Sequence, residues 1–278
     1  MRTFAGLSPR PPVRYSPDRE EARGTLAPSR RSIGTTSVAD STHLEASLSR
    51  RDALSDEERA VLRALPVERR SYAHDQTIAA EGPAPDGSCL LVEGMAMRAH
   101  RVGGAERVVS ALHVPGDFLD LHAALLAHLD HDIVAVGPCT IEFVAARHVA
   151  AITRDHPHLA RLLWLDTLID AKMHRMWTAL RAALRGEQRV AHLLCELHAR
   201  LGVAGLVRGD AFAMPLDQRG LAEVLGYSTV HVNRAIRDLR ARSLIEWEVG
   251  RVTLREPTAL ARLAGFDPAY LELGRAAR

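Results

Sequence analysis

Arginine, asparagine and small hydroxyl side chains crowd one short run, Ser228-Thr-Val-His-Val-Asn-Arg-Ala-Ile-Arg237. Wound as a helix, the run buries Val232, Ala235, Ile236 and the following Leu239 in one apolar stripe at 3/4 spacing. The opposite face carries Thr229, Val230, Asn233, Arg234 and Arg237. Such groups suit the edges of DNA bases: an arginine fork spans guanine O6 and N7, and an aliphatic side chain meets the thymine methyl. Thr229, Val230, Asn233 and Arg234 are therefore the candidates for base readout. Gln218, Ser228, His231 and Arg237 are the candidates for holding phosphates, helped by backbone amides at the helix start.

A second helix must position the first. Asp217 and Ser228 can each N-cap a helix, and Gly226 between them suits a turn that needs positive φ. Ala222 is small where two helices must cross closely. Downstream, Ile245–Val249 and Val252–Leu254 alternate with period 2 around Gly250-Arg251, which predicts a hairpin with a type II′ loop. An ordinary αα-hairpin with a solvated basic face would need none of this agreement. The pattern predicts a winged helix-turn-helix that binds double-stranded DNA.

The 278 residues suggest about two domains. A formal charge of +2 leaves DNA affinity to local placement of charge. Lys172 is the only lysine among 36 basic residues, a chain-wide bias that carries no functional weight. Cys89, Cys139 and Cys195 are far apart in apolar runs, which argues against a disulfide framework, a zinc site or an iron–sulfur cluster. A reducing cytoplasm is the expected compartment. No apolar run reaches the roughly 18 residues of a membrane span.

Residues 1–50 are rich in Pro, Ser, Thr, Gly and Arg without apolar period, and are expected to be disordered. Acidic residues and prolines weaken the likeness to a transit peptide. Residues 51–155 open with a capped helix, Asp56–Leu65, followed by short apolar segments punctuated by glycine, the pattern of a small antiparallel sandwich or barrel. Residues 156–184 form a long helix. Its Leu162, Leu165, Ile169, Met173, Met176 and Leu180 follow at steps of 3, 4, 4, 3 and 4, a seam suited to a second helix. A helix of ~25 residues is ~38 Å long, more than a small barrel needs, so the seam is expected to join two copies of the chain. Residues 185–258 hold helix Glu187–Leu201 and the winged helix-turn-helix. The tail, 259–278, has no legible role.

This order of parts resembles the cyclic-AMP receptor / fumarate–nitrate regulator (Crp–Fnr) family of bacterial transcription factors over about residues 50–255. The most specific run is Leu221-Ala-Glu-Val-Leu-Gly-Tyr-Ser-Thr-Val-His-Val-Asn-Arg234, joined by Pro115-Gly-Asp-Phe118 and Glu187-Gln-Arg-Val-Ala-His-Leu-Leu194. The resemblance implies an α+β chain: an N-terminal β-roll of the cyclic-nucleotide-binding jelly-roll type, a long dimerisation helix and the C-terminal winged helix-turn-helix. It also implies a homodimer that reads a palindromic site and contacts RNA polymerase. Val230 stands where relatives often place a base-reading glutamate, whereas Arg234 keeps the family's arginine.

The pocket residues depart from the family. In register with Pro115-Gly-Asp-Phe118, Asp120-Leu121 replaces the Gly-Glu pair that holds a ribose, and His131-Asp132 replaces the pair that holds a cyclic phosphate. Leucine cannot accept from a hydroxyl, and an aspartate repels phosphate. Leu119, Asp120, Leu121, His131 and Asp132 are thus candidate pocket residues for an effector that is unknown and not a cyclic nucleotide. The N-terminal cysteines of the family's oxygen-sensing cluster are absent. His122, His128 and His131 interleave with Asp120, Asp130 and Asp132, which keeps a metal- or haem-dependent sensor, or a β-barrel enzyme fused to a DNA-binding domain, as the alternative. That pattern lacks the His-x-His of such barrels, and no Ser/His/Asp set appears. The expectation is a chain that is not an enzyme, with no catalytic residues, metal or cofactor.

Overall fold

The computed structural model describes residues 42–103 and 107–274. Its first element is helix α1, Thr42–Ser49. This corrects the expectation of disorder for 42–50; residues 1–41 of that stretch lie outside the described residues. Leu44 and Leu48, one turn apart, are buried with Leu62 of α2 (Asp56–Arg63) and with Leu159, Leu162 and Leu163 of α4 (Pro157–Ala183). Each such burial is worth about 1.5–3 kcal/mol. Arg63 and Arg59 of α2 grip Glu45 of α1 and hold its carboxyl below the usual carboxylate range. Helix α2 starts at a capping box in which Ser55 and Glu58 each take the other's backbone amide.

Two antiparallel sheets follow. One has the order β1-β9-β4, from Glu68–Tyr72, Cys139–Ala145 and Gly87–Glu93. The other runs β2-β8-β5-β6, from Thr77–Ala79, Asp132–Ala135, Ala96–His100 and Val108–His113. A small pair, β3 (Gly82–Pro83) with β7 (His128–Leu129), closes one end. Period-2 alternation divides the side chains. Cys89 and Leu91 of β4, Ala96 of β5, Ile133 and Ala135 of β8 and Ile141 of β9 meet between the sheets. Their neighbours Met97 and Val134 point the other way, into a core shared with the C-terminal part. One apolar core thus runs from the β-roll into the helices beyond it.

Those helices are α3 (Ala146–Asp155), α4, and α5 (Glu187–Val203). The seam on α4 divides. Leu162 and Ile169 are buried inside the chain, and Leu165, Met173, Met176 and Leu180 are half-buried. The outward face instead shows Trp164, 65% exposed, and Leu168, 50% exposed. A 3.5-residue repeat shows that a helix packs along a line, and is silent on what lies against that line.

The C-terminal part comprises β10 (Ala211–Ala213), α6 (Gln218–Leu225), α7 (Thr229–Ala241), β11 (Ile245–Glu248), β12 (Arg251–Leu254) and α8 (Pro257–Ala264). Strand β10, unmarked in the sequence reading, pairs with β12 to widen the wing to β10-β12-β11. The wing loop is Val249-Gly250, one residue earlier than expected, with positive φ at Gly250. Pairing Trp247 with Val252 and Ile245 with Leu254 keeps the apolar faces together, and Val249 is left fully exposed at the tip.

Candidate nucleic-acid interface

Local chemistry sets α6 and α7. The Asp217 carboxylate accepts from the Gly220 amide at 2.7 Å and starts α6. Gly226, at φ 64 and ψ 38, ends it, and the Tyr227 amide returns to the Ala222 carbonyl at 2.9 Å. Ser228 then caps α7: its Oγ accepts from the His231 amide at 3.4 Å and lies 2.7 Å from His231 Nδ1. Val232, Ala235, Ile236 and Leu239 are buried. Thr229, His231, Asn233, Arg234 and Arg237 are exposed, as are Ser228 and Gln218, and Val230 is 71% exposed. Arg107 of the β-roll reaches α6 itself, donating to Glu223 at 2.7 Å and to Asp75 at 2.7 Å.

Residues 188–263 match the Crp-like helix-turn-helix domain. The nitrogen fixation regulation protein FixK of Rhizobium meliloti (strain 1021) is 25% identical over 195 residues, which are 69% of this chain and 85% of that protein. The C-terminal part is thus a Crp-like helix-turn-helix domain, and the chain as a whole resembles DNA-binding regulators of the Crp–Fnr type. Its fold is like that of FixK2 from Bradyrhizobium japonicum, with a TM-score of 0.65 at 22% identity over 72% of this chain and 98% of that one. A CRP-family transcriptional regulator from Thermus thermophilus gives 0.57 at 19% identity, over 70% and 96%.

In the regulator's β-roll the candidate pocket residues divide. Leu119 and Leu121 are closed into apolar core. Asp120 is fully buried; Oδ1 accepts from the Cys89 amide at 2.7 Å, and Oδ2 has no hydrogen-bond partner among the described residues. Burial pushes its pKa up to about 6. His131 is also buried, its Nδ1 2.7 Å from Asp130 and its Nε2 without a partner among the described residues. Burial pushes its pKa down to about 4, so the ring is neutral near pH 7. Asp132 does not join them. It accepts from the Glu81 amide at 2.8 Å and lies 3.7 Å from Arg101.

Arg98 was missed in the sequence. It alternates in phase with inward-facing Ala96 and is itself buried, donating to the Leu119 carbonyl at 3.4 Å and pairing with Asp170 of α4 at 3.0 Å. The β-roll interior therefore holds an arginine, but this one already has a carboxylate. His131 also lies between His122 and His100, with ring centroids 5.5 and 5.7 Å away. Among the described residues, no group of three or more His, Cys, Asp or Glu is placed to hold a metal ion. Nor is any helix among them long and apolar enough to cross a membrane.

Proposed function

We propose that the regulator acts in the cytoplasm as a homodimer on a pseudo-palindromic operator, where it contacts RNA polymerase and binds rather than catalyses. The carrying observation is the outer face of α7, whose Thr229, Val230, Asn233, Arg234 and Arg237 are all exposed while its apolar stripe is buried. Two such helices in one dimer would lie about one DNA turn, roughly 34 Å, apart. Selection from random duplexes should therefore enrich an inverted repeat, and enrichment of no sequence would sink the reading. The exposed Trp164 and Leu168 on the 27-residue α4 favour this helix as the joint between copies. Trp164→Glu with Leu168→Glu should sediment as a folded monomer. A double variant that stays dimeric would move the interface elsewhere.

The β-roll, on this reading, answers to something other than a cyclic nucleotide. Leu121 is core where a ribose would need an acceptor, and Arg98 is engaged by Asp170. Calorimetric titration with cyclic AMP or cyclic GMP should give no heat and leave DNA affinity unchanged. Micromolar binding of either would overturn this part of the proposal.

A further inference from the structure

A cleft of about 620 Å³ opens where the β-roll, α1 and the winged helix meet, apart from the β-roll interior. Its walls are largely apolar: Val92 and Met95 on one side, Leu201, Ala204 and Leu206 on the other, and Pro215 before α6. Its size falls within the roughly 300–1,000 Å³ of small-molecule sites, which favour the seams between domains. Three ionisable side chains reach it: His43, Arg50 and Glu93. His43 is 3.1 Å from Glu142, and Glu93 is exposed to solvent.

Arg50 is the unusual one. Its guanidinium lies against the Pro115-Gly116 turn, so closely that a Cβ on Gly116 would collide with Arg50 Nη2. Among the described residues its one hydrogen bond is a long one, 3.4 Å to Ser47 Oγ, and no carboxylate pairs with it. The acidic groups whose charge it feels are Asp117 and Asp166. Asp117 is taken by Arg200 and by the Val114 amide, and Asp166 lies 3.7 Å from Arg51. Burial pushes the pKa of Arg50 down, as expected for a cation withdrawn from water without a close counter-ion. A half-buried charge in that condition gains from an anion that can reach it.

We propose that this cleft binds a small amphipathic carboxylate of the medium-chain type, its head group on Arg50 and its chain along the wall formed by Met95, Leu201 and Leu206. The β-roll and the DNA-binding part each supply one side, so the ligand bridges them. Decanoate is the probe, titrated calorimetrically into the full chain without DNA, with 1-decanol as the neutral match. Decanoate is expected to bind in the micromolar range. Arg50→Gln should weaken it about tenfold or more, the loss of one charge-assisted hydrogen bond, while leaving decanol unchanged. Ala204→Trp, which adds bulk at the end of α5, should abolish binding of both. The site is refuted if wild type ignores decanoate, if Arg50→Gln binds it as wild type does, or if its heat survives Ala204→Trp.

Discussion

Arg234→Ala should bring the regulator's affinity for its operator close to its affinity for random duplex, with little change in the latter. Arg234 stands on the exposed face of α7, one turn from Val230. Losing one bidentate guanine contact should cost about 1–3 kcal/mol of discrimination, roughly 5- to 150-fold. Arg237→Ala offers the contrast. As a phosphate contact it should weaken both duplexes alike and lower the slope of affinity against salt by about one. Competition binding at two salt concentrations separates the outcomes. An Arg234→Ala variant that keeps the wild-type ratio would show that base readout lies elsewhere on α7.

The second large effect concerns stability. Arg200→Met should cost about 3–5 kcal/mol, because it leaves the fully buried Glu196 and the half-buried Asp117 without their cation. Arg200 of α5 is buried, 3.0 Å from Glu196 and 2.9 Å from the Leu112 carbonyl, and it also pairs with Asp117. Glu196 is fully buried and accepts from Trp177 Nε1 at 2.9 Å and the Tyr270 hydroxyl at 2.5 Å. The network ties the β-roll, α4, α5 and the C-terminal turn together. Urea denaturation should show an earlier midpoint with unchanged slope. Adding Glu196→Gln should recover part of the loss, since an amide needs no counter-charge. An Arg200→Met variant as stable as wild type would mean that water already balances these carboxylates.

Legibility followed the range of the forces involved. Asp217, Gly226 and Ser228 act within a few residues of themselves, so the caps and turn of the helix-turn-helix could be read directly from the chain. The outer face of α7 followed from the stripe it opposes. Helix α1 was hidden because only Leu44 and Leu48 mark it, within a run of Ser, Thr, His and Glu, and their partners lie on α2 and, far off in sequence, on α4. Arg98 was hidden for a related reason: inwardness in β5 depends on sheet pairing, and its partner Asp170 is distant in sequence. The α4 seam was visible as a period, but that period does not tell Leu162 and Ile169, taken by the chain's own core, from Leu165, Met173, Met176 and Leu180, which stay half-buried. At the wing, the cross-strand match of Trp247 with Val252 outweighed the preference for glycine at the first loop position.

Helix α1 also constrains the order in which the protein can form. As the chain leaves the ribosome, Leu44 and Leu48 emerge long before Leu159, Leu162 and Leu163 of α4, with which they are buried. A nascent chain that has reached only Asp155 holds the strands of the β-roll but not the helix that covers α1. Its two leucines then have Leu62 of α2 but lack the α4 side of their pocket, which leaves part of their surface available to any apolar surface nearby. Closure waits on a contact between distant parts of the sequence, the kind that slows folding and leaves partly formed chains prone to association. Synthesis that stalls before α4 should therefore leave a sticky species rather than a finished β-roll.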